Sequence, residues 1–241
     1  NVHLSSISGG TDIVSCFVLG NLYQPVYLGE IQNKGLALDV KVYSERGKSL
    51  KNSKGELVCV NPFPSIPLKF WKDKNDVKFR EAYFNKYKNI WHHGDFAEIK
   101  NTGGFIIYGR SDTTLNPGGV RLGTAEIYSE VEKFDEIREA IVVGQSWDND
   151  IRIILFIIMN KNFVINDSLI KKIKLQIRKN ASPRHVPSKI IVVKDIPRTK
   201  SGKIVELAVK NTIEGNEIKN MEALVNPEVL KEYKNIKELK Y

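Results

Sequence analysis

The apolar positions change rhythm partway along the chain. Up to about residue 110 they come in short alternating runs broken by Gly, Pro and Asn, the pattern of strands joined by turns. Residues 7–12 read as a strand end running into a glycine turn. Leu36, Leu38, Val40 and Val42 share one side of an alternating run and predict a half-buried strand over 36–43. Residues 55–60 predict another, stopped by Pro62 and Pro64. Phe70-Trp71 and Tyr83-Phe84 flank a charged segment that predicts a short helix. Gly103-Gly104 predicts a hairpin between strands over 96–99 and 105–108.

After Asp112 helical spacing enters. Thr124 is a candidate N-cap for a helix carrying Ile127, Val131 and Phe134 on one face. Residues 141–143 and 151–159 predict apolar strands. Asp167 predicts the cap of a helix with Leu169, Ile173 and Ile177 on its buried side. A strand over 189–193, a loop over 197–202, a helix from 204 to about 211 and a last short helix after Pro227 complete the pattern. The expected fold class is α+β: a β-rich segment, 1–111, followed by a small α+β domain, 112–241.

Composition narrows the class. The chain has 241 residues, 41% hydrophobic and 27% charged, as in an ordinary globular protein. The apolar run over 153–159 is far too short to span a bilayer, so no membrane span is expected. Cys16 and Cys59 are the only cysteines and form no metal-binding spacing. That suits a reducing, cytoplasmic compartment. The net charge of +9 (pI about 9.3) is spread along the chain rather than gathered in a tail. Diffuse basicity suits anionic small ligands or weak nucleic-acid attraction, but solvated surface lysines are the better account of most of it. The start lacks both an initiator Met and a signal-peptide pattern, and reads as the opening of a fragment.

Four segments carry candidate chemistry, and each alone also reads as a plain loop. Gly9, Gly10, Thr11 and Asp12 offer amides, a hydroxyl and a carboxylate that could hold a phosphate and a magnesium ion, or merely close a turn. Asp95 follows a glycine at a strand start, where a carboxylate can accept both hydroxyls of a ribose. His92 and His93 are adjacent on that strand and point to opposite faces, so they are read as non-ligands. The stretch from Gly109 to Glu126, GRSDTTLNPGGVRLGTAE, sets two arginines around a Pro-Gly-Gly turn. Arginines hold phosphate or ribose oxygens by forked hydrogen bonds, and glycines let backbone approach a ligand. Lys203 follows a glycine in PRTKSGK. This is no Walker loop, because Ile204 stands where Ser or Thr would. A lysine there can stabilise charge developing at phosphorus. Ser182 and His185 occur without a nucleophile elbow, so hydrolase chemistry is unsupported.

In order and spacing, SGGTDI (8–13), PFPSIPLKFW (62–71), HGDF (93–96), GRSDTTLNPGGVRLGTAEIY (109–128), SPRHVP (182–187) and PRTKSGK (197–203) resemble the adenylate-forming superfamily of acyl-CoA synthetases, adenylation domains and luciferases. The resemblance covers nearly the whole chain. It implies a two-step reaction: a carboxylic acid attacks the α-phosphate of ATP, and the thiol of CoA then displaces AMP from the acyl-adenylate. By motif position it implies that Gly10 and Thr11 sit at the nucleotide phosphate and that Asp12 helps hold Mg2+. Asp95 and Arg110 would bind the ribose, Arg121 a phosphate, and Lys203 would act catalytically. Gly118 and Gly119 would line the CoA tunnel and Arg178 would meet the CoA phosphate. Asp112 would be the hinge of a mobile C-terminal domain.

Departures from the family pattern sharpen the expectations. Many members carry glutamate where Asp12 stands. Gly9 stands where acetate-activating members carry a tryptophan that closes the acyl pocket, so the acid expected is larger than acetate, and acetoacetate would fit. The phosphate loop and most of the large domain lack counterparts here, so residues 1–111 are expected to be the last part of that domain and the chain silent by itself. The expected partners are then the acid, ATP, CoA and the missing N-terminal part, with no nucleic acid. Loading of a carrier protein and a non-catalytic nucleic-acid-binding module are the competing readings; Arg178 favours CoA over a carrier.

Overall fold

A computed structural model describes residues 2–218 and 220–240. The chain divides into two compact units, Asn1–Ser111 and Asp112–Tyr241. In the first unit, β1 (Ser8–Gly10), β2 (Ser15–Leu19) and β3 (Asn33–Lys34) form an antiparallel three-stranded sheet. β4 (Val40–Tyr43), β5 (Ser49–Leu50), β6 (Gly55–Cys59), β7 (Trp91–Ile99) and β8 (Phe105–Arg110) form a second sheet in the order β5-β4-β6-β7-β8. The helix α1 (Val77–Tyr83) packs against β7. Ile13, Phe17, Val40, Val42, Leu57, Phe63, Trp91 and Phe105 fill the core between these elements.

The second unit is layered around one sheet. α2 (Ala125–Val131) leads into the hairpin of β9 (Ile137–Trp147) and β10 (Asp150–Met159), followed by α3 (Asp167–Asn180), β11 (Lys189–Val192) and α4 (Glu206–Glu214). β10 is central, antiparallel to β9 and parallel to β11. Its apolar run is long because both faces are covered. Ile153, Leu155 and Ile157 pack with Ile127, Val131, Ile173 and Ile177 of α2 and α3. Ile154, Phe156 and Ile158 pack with Ala208, Val209 and Tyr233 on the other side. Asp148 and Asn149 turn the β9–β10 hairpin with φ of 49° and 58°, left-handed values that Asn and Asp tolerate.

The α+β class stands, and several element boundaries move. The strand expected over 36–43 begins only at Val40; Leu36 is 97% exposed and lies outside it. Asn61 explains the late start, since its side chain bonds the Ala37 carbonyl and the Asp39 amide and holds that stretch as a turn. Asn166, not Asp167, caps α3, its oxygen accepting from the Leu169 amide at 2.9 Å. Thr124 stands at the N-cap of α2 without a capping bond. The Glu126 carboxylate meets the Gly123 amide instead, and Phe134 falls past the helix end. The helix expected at 204–211 runs Glu206–Glu214, because Ile204 pairs with Arg198 across a tight loop. The segment after Pro227 is a 3₁₀ helix, Pro227–Tyr233. Both cysteines are free, and no helix among the described residues is long and apolar enough to cross a membrane.

Candidate functional site

In the first unit one unbroken line of contacts joins most of the residues singled out above. Strand register sets Asp95 of β7 directly opposite Arg110 of β8. The Arg110 guanidinium donates to the His93 carbonyl at 3.0 Å and to Asp95 Oδ1 at 3.4 Å. Gly94 makes this possible. Its φ of +83° is left-handed, and a Cβ there would lie 2.7 Å from an Arg110 nitrogen. His93 Nε2 stands 3.8 Å from Asp95, while Trp91 Nε1 meets His93 Nδ1 at 3.4 Å. Tyr83 stacks on Trp91 with ring centroids 3.7 Å apart, and its hydroxyl donates to Asp12 Oδ2 at 2.7 Å. Burial and the neighbouring Asp12 carboxylate push the Tyr83 phenol well above its ordinary pKa, so it stays a donor.

Gly10 closes the line, since a Cβ on it would lie 2.0 Å from Asp12 Oδ1 and 2.7 Å from the His93 ring. Thr11 and Asp12 are exposed on the turn after β1. Gly9 has a separate constraint: a Cβ would lie 2.2 Å from the Ser15 carbonyl oxygen and 2.5 Å from Cys16 Cα. That contact is with backbone of β2, so strand pairing alone calls for glycine here. Gly9→Ala is expected to lower stability by about 1–3 kcal/mol through forced separation of β1 and β2. Urea unfolding checks this, and an unchanged midpoint contradicts it. A tryptophan at Gly9 would disturb the same pairing and is no clean probe of acid size.

His92 and His93 face opposite sides of β7. His92 Nε2 lies 2.9 Å from Glu56, and His93 packs edge-on against Phe17. Glu56 is fully buried and also meets Lys86 Nζ at 2.7 Å and the Ser111 hydroxyl. The Ser111 amide donates to the Gly94 carbonyl at 2.7 Å. The last residue of the first unit is thus tied at both its backbone and its side chain, and exposed Asp112 opens the second unit.

In the second unit the singled-out residues stand on separate elements. Leu115 and Leu122 pair through two backbone bonds and close a loop with Pro117–Gly119 at its tip. Gly118 and Gly119 have φ of 59° and 74°, with open space where a Cβ would be. Asp150, at the start of β10, holds the Gly118 amide between its two oxygens at 2.9 Å each. The amides of Ile151 and Gly118 keep its carboxyl below the ordinary range. Arg121 Nε donates to Thr114 Oγ1 at 3.0 Å. Lys203 sits on a turn in which the Thr199 amide bonds the Lys203 carbonyl at 2.8 Å and Thr199 Oγ1 accepts the Lys203 amide at 3.1 Å. Gly202 takes φ of +82° in that turn. The exposed side chains of Lys203 and Arg178 share no hydrogen bond or ion pair with another described residue.

Tyr83, Trp91, Asp150 and Glu130 are supports that no sequence pattern marks. Tyr83 and Asp12 are far apart in sequence, and no local pattern joins them. Glu130, on α2, is buried and accepts from Asn180 at 2.8 Å, Gln176 at 3.0 Å and Lys133 at 2.6 Å. Burial alone would raise its pKa; the bonds from Asn180, Lys133 and Gln176 outweigh it and hold the carboxyl below its ordinary value. A depressed folded pKa stabilises above the unfolded value and is lost as pH falls through the folded one. The stability gap between the native chain and Glu130→Gln is therefore expected to close in the acid carboxylate range. Urea unfolding across pH checks this, and a gap independent of pH contradicts it.

This arrangement, a paired Asp and Arg on adjoining strands followed by a small domain with a glycine-tipped loop and an exposed lysine, meets a known class. Residues 126–203 match the family profile of the AMP-binding enzyme C-terminal domain. Those residues thus carry the C-terminal domain of AMP-binding enzymes, and the whole chain is similar to acetoacetyl-CoA synthetases: 56% identical to that of Rhizobium meliloti (strain 1021), over 100% of this chain and 37% of the relative. It is 48% identical to that of Gallus gallus, over 99% of this chain and 36% of the relative. The solved acetoacetyl-CoA synthetase from Streptomyces lividans superposes with a TM-score of 0.91 at 38% identity, covering 98% of this chain and 36% of that one. The chain thus spans little more than a third of the length of the relatives it matches.

Proposed function

We propose that this chain is the C-terminal part of an AMP-forming acid–CoA ligase acting on acetoacetate. The observation that carries the reading is the unbroken contact line from Gly10 through Asp12, Tyr83, Trp91 and His93 to Asp95 and Arg110. It sets two carboxylates and a guanidinium beside exposed backbone, the set a ribose and a phosphate require. Asp95 accepts the ribose hydroxyls, with Arg110 holding it in place and adding a donor. Thr11 and Gly10 line the α-phosphate, and Arg121 supplies a second guanidinium for phosphate.

In the first step an oxygen of the acid attacks the α-phosphorus and pyrophosphate leaves. Lys203, which shares no ion pair with another described residue and stands on a hydrogen-bonded turn, supplies positive charge where negative charge grows. In the second step the CoA sulfur attacks the acyl carbonyl and AMP leaves with the bonding electrons. Gly118 and Gly119 give the pantetheine arm passage, and exposed Arg178 meets a CoA phosphate. Asp112 is the hinge between the two arrangements, and residues 112–241 are the domain that turns. Gly9 lines the acyl pocket, in addition to its role between β1 and β2.

A divalent ion fits Asp12 only as a partial ligand. No group of three or more His, Cys, Asp or Glu that could hold a metal occurs among the described residues. Mg2+ keeps waters and takes phosphate oxygens, so one carboxylate and the Thr11 hydroxyl suffice on the protein side. Bound there, it would neutralise phosphate charge.

The remainder of the nucleotide and acyl sites is proposed to lie in the part of the relatives that this chain does not span. A protein joining that part of the Rhizobium meliloti enzyme to this chain tests the substrate. The expected result is acyl-CoA formation with acetoacetate at least tenfold more efficient than with acetate, roughly the discrimination a few apolar contacts supply. Equal use of the two acids, or preference for acetate, contradicts it.

A further inference from the structure

Glu130 is a charged residue held between two helices, where an apolar side chain would pack at lower cost. α2 and α3 already meet through Ile127, Val131, Ile173 and Ile177. What the carboxylate adds is direction. Its Oε2 takes hydrogen bonds from both Gln176 and Asn180 of α3. These two stand one turn apart on one face of the helix. Arg178 lies between them in sequence, about 200° around the axis from each, and so points away from α2 into solvent. The helix ends two residues later, where the Ala181 amide bonds the Ile177 carbonyl at 3.0 Å. A last turn left to itself frays, and a long side chain on a fraying turn samples many directions.

We infer that Glu130 is a positioning residue for Arg178: by clamping Gln176 and Asn180 it fixes the rotation of the last turn of α3 and aims Arg178 at the 3′-phosphate of CoA. This rests on the reading in which Arg178 binds that phosphate. Lys133 anchors the other carboxylate oxygen, so Glu130 is itself held from both sides.

Calorimetric titration of the full chain with CoA and with dephospho-CoA, which lacks only the 3′-phosphate, tests the clamp. The native chain is expected to bind CoA about tenfold more tightly, the worth of one charge-assisted contact. Arg178→Ala abolishes that preference. The double variant Gln176→Ala/Asn180→Ala, which changes no fully buried group, is expected to bring the ratio near one while leaving dephospho-CoA affinity unchanged. Glu130→Gln keeps an oxygen toward Gln176 and Asn180 and is expected to retain the preference. A double variant with native circular dichroism and an undiminished ratio overturns the clamp alone. So does equal weakening toward both ligands, which is what a merely structural contact would give. A native chain that does not distinguish the two ligands overturns the CoA reading of Arg178 and the clamp together.

Discussion

Lys203→Gln, made in a protein joining this chain to the missing part of a relative, is expected to slow acyl-adenylate formation about 10²–10³-fold. Thioester formation from supplied acyl-adenylate is expected to continue. The effect is electrostatic. The Lys203 side chain is exposed and shares no ion pair with a described residue, so its charge is uncommitted until substrate arrives. The turn beneath it is held by two bonds between Thr199 and Lys203, which fixes the backbone from which the side chain reaches. Glutamine keeps the length and loses the charge, so the loss falls on the step in which charge grows at phosphorus. Acid-dependent ATP–pyrophosphate exchange reads the first step, and CoA consumption from the adenylate reads the second. Loss of both steps, or of neither, contradicts the assignment.

Trp91→Ala is the change expected to cost most stability. Trp91 is 2% exposed and touches Phe63, Phe79, Tyr83 and Phe84 by ring contacts. Emptying such a site costs about 3–5 kcal/mol, a large share of the roughly 5–15 kcal/mol that holds a domain folded. The urea midpoint of the first unit should fall accordingly. The same change removes the ring on which Tyr83 stacks, and with it the support for the Tyr83–Asp12 bond. Tyr83→Phe keeps the stacking and removes only the hydroxyl, and should cost about 1 kcal/mol. Equal losses in the two variants would show that the aromatic cluster does not carry the unit.

Much of this was legible in the sequence because short-range periodicity is enforced by burial. The apolar run over 151–159 marked a strand, and Leu169, Ile173 and Ile177 marked the buried stripe of α3. Asp95 and Arg110 were legible as candidates because a glycine stands beside one of them and a loop follows the other. Two of the shifts, at β4 and at α3, share a cause: side chains of Asn61 and Asn166 bond backbone ends, and such local competition outweighs hydrophobic alternation. The supports were hidden for another reason. Tyr83 to Asp12, Glu130 to Asn180 and Asp150 to Gly118 are contacts between distant segments, and no spacing rule reports them.

The decisive measurement is acetoacetate-dependent pyrophosphate release from ATP, made on this chain alone and on the same chain joined to the preceding part of the Rhizobium meliloti relative. None is expected from the chain alone, and clear release from the joined protein. Release by the chain alone, or a folded joined protein that releases none, would contradict the proposed function.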